Sequence, residues 1–151
     1  MKVFISHSLG YTDAHVAVLL GQQAQARGFT VESSQSSIPW APGISEAARR
    51  SINSSDLVVA IVSADSQLAQ SVYTELNAAL SVGKPVLALV EHGVQMSAIP
   101  GINYVYFDRY NLRPALAQIS SILGEHQGKN IRTWVIAGGL ALLALYLISQ
   151  E

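Results

Sequence analysis

The stretches DLVVAIVS (56–63) and KPVLALV (84–90) each contain an unbroken apolar run, LVVAIV and VLALV. A strand with one face in water alternates apolar and polar residues, because its side chains point to opposite faces in turn. Unbroken runs of this length, rich in β-branched residues, describe strands covered on both faces. Such cover comes from helices, and helices reach both faces of a sheet through the crossovers that join parallel strands. These two segments therefore restrict the chain to an α/β architecture built around a parallel sheet.

The remaining segments fit that frame. KVFIS (2–6) reads as a buried strand and FTVE (29–32) as a second one. DAHVAVLLGQQAQARG (13–28) has helical spacing, with Asp13 as its N-cap and Gly28 just past its end. SSQSSIPWAPG (33–43), rich in Ser and Pro, is a long loop of the kind that often carries function. ISEAARRSINSS (44–55) is a short helix, and DSQLAQSVYTELNAALSVG (65–83) is the helix after the third strand. NYVYFD (103–108) is a fifth strand, and RPALAQISSILGE (113–125) a closing helix. Five strands alternating with helices, joined by right-handed crossovers, predict a flavodoxin-like doubly wound five-stranded parallel sheet in the order 2-1-3-4-5.

Composition narrows the function classes. With 151 residues the chain has room for a single core, and a net charge of −1 provides no basic field for nucleic acid. There are no cysteines, which removes disulfides, thiolate metal sites and a cysteine nucleophile. His7, His15, His92 and His126 lack metal-ligand spacing, so neither a metal nor another cofactor is expected. The tail departs from the rest: TWVIAGGLALLALYLIS (133–149) contains no charged side chain. Its length falls at the short end of the roughly 17–25 residues that cross a bilayer as a helix. Trp134 and Tyr146 stand near its ends as interfacial aromatics do, and Lys129 and Arg132 precede it. The expected organisation is a domain over 1–124, a linker over 125–132 and a transmembrane helix over 133–149. The positive residues put the domain on the cytoplasmic side of the membrane.

In a doubly wound sheet, ligands bind beyond the carboxyl ends of the strands, near the switch between strands 1 and 3. The first strand ends at Ser6, His7 and Ser8, the second opens into the 33–43 loop, and the third ends at Ser63. The helix after the third strand carries Glu75 beside an apolar stripe of Leu68, Val72, Leu76, Ala79 and Leu80. At about 100° per residue Glu75 falls about 60° from Val72, at the border of the stripe. Two readings of Glu75 follow from spacing: a solvated surface charge, or a carboxylate aimed at a ligand over the strand ends.

At these residues the chain resembles a TIR domain, in particular the bacterial TIR-like proteins of Thoeris-type anti-phage defence. The resembling pieces are VFISHS (3–8), SDLVVAIVS (55–63), SVYTELNAAL (71–80) and GKPVLALV (83–90), with SHSLGYTDAH (6–15) nearer the Thoeris-type pattern. The likeness spans residues 1 to about 124 and excludes the tail. It implies an enzyme that cleaves the nicotinamide–ribose bond of NAD⁺ as substrate, by hydrolysis or by cyclisation of the ADP-ribose product. It also implies self-association through TIR domains. The essential glutamate of the family maps onto the TEL at 74–76, and so onto Glu75. Two positions depart from the pattern. Ser71 stands where many TIR enzymes have Trp, and His7 and Ser8 stand where many have Arg or Lys.

Substrate contacts are expected from Ser6, His7, Ser8, Trp40 and Ser71. Several of these keep a second reading: His7 as a cap of the first helix and Trp40 as loop packing. Phe4 reads as strand core and Asp65 as a helix N-cap. Without a Gly-rich phosphate fingerprint, any nucleotide must be held by loops and hydroxyls. Two other functions stand beside NAD⁺ cleavage. One is a non-catalytic TIR adaptor. The other is a nucleoside 2-deoxyribosyltransferase-like enzyme, suggested by the EL..A...GKP run at 75–85.

Overall fold

The computed structural model describes residues 1–8, 11–33, 44–64, 70–96 and 99–125. The described strands are β1 (Lys2–Ser6), β2 (Thr30–Ser33), β3 (Leu57–Val62), β4 (Val86–Glu91) and β5 (Ile102–Phe107). The helices are α1 (Tyr11–Ala26), α2 (Glu46–Ser54), α3 (Gln70–Ser81) and α4 (Arg113–Glu125). The sheet runs β2-β1-β3-β4-β5 and every pairing is parallel, which is the predicted flavodoxin-like order. The 34–43 part of the Ser/Pro-rich loop, Asp65, Leu68 and the proposed membrane segment 133–149 lie outside the described residues. Among the described residues no helix is long and apolar enough to cross a membrane.

Alternation along each strand sorts the core into two layers. Val3, Ile5, Val59, Ile61, Leu87 and Leu89 face α1 and α4, where Val16, Leu20 and Ile119 meet them. Phe4, Val58, Ala60, Val62, Ala88 and Val90 face α2 and α3, where Ile52, Val72 and Leu76 meet them. β3 and β4 are buried at every position, as their unbroken apolar runs require. Each fully buried Val, Leu or Ile contributes about 1.5–3 kcal/mol, so this layered interior is the main source of stability. The edge strand β2 differs: its residues are exposed or half-buried, and Glu32 pairs with Lys2 at 2.8 Å. With no position fully buried, TVES has no need of the apolar run of β3.

Helix ends follow local chemistry. Ser45 caps α2 by accepting from the Ala48 N–H at 3.1 Å, and leaves Ala48 and Ile52 buried. Gly28 (φ 86°) closes α1 in the left-handed conformation, while Gly28 N donates to Gln25 O and Phe29 N to Ala24 O. Gly83 (φ 72°) ends α3 with the same pair of bonds, to Leu80 O and Ala79 O. Both are Schellman endings that satisfy the last carbonyls. Phe29, expected as the first residue of a strand, instead packs into the core under this cap. At its other end α1 begins at Tyr11, two residues before the expected start. Asp13 is therefore inside the first turn and is not the N-cap.

Candidate functional site at the carboxyl ends of the strands

β1 and β3 lie side by side, with Ser6 opposite Ala60, and the chain leaves both at the same edge of the sheet. Ser6 follows Phe4 by two residues and so points into the layer shared with α2 and α3. It is fully buried, and its hydroxyl has no hydrogen-bond partner among the described residues. A buried hydroxyl without a partner costs free energy that packing alone does not require.

α3 packs over β1, β3 and β4 on that same side of the sheet. Val72, Leu76 and Ala79 are completely buried, and Glu75 is only 6% exposed. On a helix these four residues occupy an arc of about 100° with Glu75 at one margin. The surface-charge reading therefore fails: the carboxylate lies within the buried face. α3 follows β3, so its first turns stand near the carboxyl edge, and Glu75 is in the second turn. Ser71 is in the first turn, one turn before Glu75. Trp40 lies outside the described residues.

His7 and Ser8 continue from β1. His7 Nδ1 lies 2.7 Å from the Ser8 carbonyl oxygen. A carbonyl only accepts, so Nδ1 carries the proton and Nε2 is the acceptor nitrogen of the neutral ring. Ser8 turns inward, and its hydroxyl donates to Asp13 Oδ2 at 2.7 Å. The Ser63 hydroxyl, at the end of β3, donates to the same oxygen at 2.6 Å. Ser8, Asp13 and Ser63 are all buried. The structure thus gathers Ser6, His7 and Ser8 at one strand end and joins that end to β3 through Asp13, a residue the sequence did not single out for this.

A second polar cluster closes β4 and β5. Glu91, the last residue of β4, is nearly buried and takes a two-pronged bond from Arg109, whose Nε meets Oε2 and whose Nη2 lies 3.0 Å from Oε1. The Ala64 N–H adds a bond to Oε1 at 3.2 Å. The Arg109 bond holds the Glu91 carboxyl below the usual carboxylate range, aided by the Ala64 N–H and opposed by burial. Ala64, Glu91, His92, Asp108, Arg109 and Tyr110 line a recess of about 330 Å³ there. The His92 and Tyr106 rings stack nearby, 6.0 Å apart. The only hint of this cluster in the sequence is a carboxylate ending an otherwise apolar strand. No group of three or more His, Cys, Asp or Glu residues that could hold a metal occurs among the described residues.

A family model described as the TIR domain matches residues 3–122. No curated protein gives a significant match to the chain. Among solved structures, a CMP N-glycosidase of Clostridium botulinum is similar with a TM-score of 0.57 at 13% identity, over 79% of this chain and 98% of that one. A 2-deoxyribosyltransferase from Bacillus psychrosaccharolyticus is similar with a TM-score of 0.56 at 17% identity, over 79% and 96%. The sugar isomerase domain of an RpiR transcription factor from Sphaerobacter thermophilus gives 0.58 at 13% identity, over 96% and 76%. At these identities the likeness is one of fold.

Proposed function

The chain belongs to the TIR domain family, and from that premise we propose that it cleaves the nicotinamide–ribose bond of NAD⁺ with Glu75 as the catalytic carboxylate. The observation that carries the proposal is the burial of Glu75 on the α3 face that looks onto β1 and β3. A glutamate needed only for solubility would turn to water, as Asn77 does two residues further along the helix. Two structures of this fold are named a CMP N-glycosidase and a 2-deoxyribosyltransferase, names that agree with chemistry at an N-glycosidic bond.

The reaction suits one carboxylate. Nicotinamide leaves with the electron pair of the C1′–N bond and becomes neutral, so no proton has to be supplied. Positive charge grows on the ribose as an oxocarbenium ion, and a fixed anion beside it lowers the barrier. Water then captures C1′ and loses a proton, giving ADP-ribose, or a nucleophile within the same ADP-ribose does so and gives a cyclic product. Ser6, His7 and Ser8 would contact the substrate from the end of β1, Ser71 from the first turn of α3 and Trp40 from the long loop. In its neutral form His7 offers Nε2 to a ribose hydroxyl or the carboxamide N–H.

In the cell this activity would serve Thoeris-type anti-phage signalling. Residues 133–149 would span the membrane, with the TIR domain (1–124) on the cytoplasmic side and 125–132 as the linker. Tethering to a membrane raises local concentration and favours self-association of the domain. The test is incubation of full-length protein with NAD⁺ and identification of products by mass. Nicotinamide with linear or cyclic ADP-ribose supports the reading. Base exchange on deoxynucleosides without nicotinamide release would replace it with a deoxyribosyltransferase, and inertness toward both with an adaptor.

A further inference from the structure

Asp13 presents an arrangement that packing alone does not account for. It is completely buried, yet an apolar residue in the first turn of α1 would fill the same interior without the cost of burying a carboxylate. A single carboxylate oxygen, Oδ2, receives the Ser8 hydroxyl at 2.7 Å and the Ser63 hydroxyl at 2.6 Å. Ser8 lies two residues beyond β1, and Ser63 is the first residue beyond β3. The two backbones that part company at this edge are thus tied to one atom, and that atom is fixed in a third element.

We infer that Asp13 is a positioning residue: it fixes the spacing between the ends of β1 and β3, and with it the placement of Ser6–Ser8 relative to the helix that bears Glu75. The inference rests on the proposed NAD⁺-cleaving site. α3 packs directly on β3, so a shift of that strand end changes its place relative to the helix, while a shift of Ser8 moves His7. Bonds from hydroxyls to a charged acceptor are short and directional, and hold two chain ends more tightly than apolar contacts do. Glu75 itself stays in place through Val72 and Leu76, so loss of the tie should disturb alignment more than folding.

The experiment compares Asp13→Ala, Asp13→Asn, Ser8→Ala and Ser63→Ala in the full-length protein. Asn retains an oxygen that can accept both hydroxyls, which makes it the conservative variant. Per folded molecule, Asp13→Ala should lose about tenfold to a hundredfold in kcat with KM changed less than about threefold, the size of effect expected from a small misplacement. Each serine variant should lose less, and Asp13→Asn should recover most of the activity. Hydrogen exchange supplies a readout that needs no substrate. In Asp13→Ala and in the serine variants, amides of residues 6–8 and 63–64 should lose protection while those of β4 keep theirs, and Asp13→Asn should keep most of the protection at both strand ends. Exchange that rises evenly across the sheet, or nowhere, would overturn the inference and leave Asp13 a stability residue or a bystander. So would unchanged kcat in folded variants of a wild type that cleaves NAD⁺. If the wild type releases no nicotinamide while exchange rises only at the two strand ends, the NAD⁺ reading fails and the tie stands.

Discussion

Arg109 grips Glu91 with two nitrogens, from a position just past β5 onto the last residue of β4. Glu91 is nearly buried, whereas the Arg109 side chain is 26% exposed. The pair therefore joins two strand ends at the far side of the sheet from β2. Arg109→Ala would leave a carboxylate in a poorly hydrated place. The expected loss is about 3 kcal/mol, the lower figure for breaking a buried pair because the guanidinium already reaches water. Thermal unfolding should show a midpoint lowered by about 10 °C. A change of under about 2 °C would mean that water replaces the guanidinium without cost.

The same pair sets an acid response. Arg109 lowers the Glu91 carboxyl below its unfolded value, so its contribution is complete above about pH 4.3 and disappears as pH falls through the folded value. Denaturant titrations of wild type and Arg109→Ala should therefore converge as pH is lowered below about 4. Parallel curves across that range would show that the pair carries no proton linkage.

Glu75→Gln should cut NAD⁺ cleavage by at least about a hundredfold, or about 3 kcal/mol in the barrier, with the fold intact. Shape is kept and charge removed. Circular dichroism and the thermal midpoint serve as controls. Turnover near the wild-type rate would take Glu75 out of the mechanism.

His7→Ala and Trp40→Ala should raise KM several-fold and lower kcat less, as expected when binding to ground and transition states is lost together. Steady-state kinetics on NAD⁺ decides this. If both variants keep the wild-type KM, the substrate lies away from the β1 end.

Ending the chain at Arg132 should convert a membrane-associated protein into one that fractionates with soluble material, still folded. Every described element of the sheet and its covering helices lies before residue 126. Fractionation with and without detergent checks the first point, and circular dichroism the second. Full-length protein that stays in the soluble fraction without detergent would make 133–149 a packing or assembly helix. An insoluble truncated chain would place that segment in the core.

Parts of this molecule could be read from local pattern alone. β3 and β4 were legible because burial on both faces leaves only apolar residues, and the endings of α1 and α3 because Gly28 and Gly83 adopt a backbone that other residues avoid. Glu75 was placed at the border of its stripe, and the structure buries it there, because the arc from Val72 to Leu76 and Ala79 is wide enough to include it. Asp13 was misread as a cap. Its role depends on Ser63, 50 residues away, and no helical or strand period relates the two. Arg109 and Glu91, 18 residues apart at the ends of successive parallel strands, escaped for the same reason. Side chains that pair across strand ends are set by topology, and topology emerges only when the sheet is assembled.

One consequence follows from the alternation in β1. Phe4 and Ser6 face α3 while Ile5 faces α1, so neighbouring positions in this short strand belong to opposite halves of the interior. Substituting any one of them alters the packing around a single position. Deleting or inserting one residue in β1 would exchange the two halves: Ile5 would go where the hydroxyl belongs, and Ser6 into the aliphatic layer. The five residues of this strand thus act as a reading frame for the site. A change that alters the frame should harm it more than any change of letter.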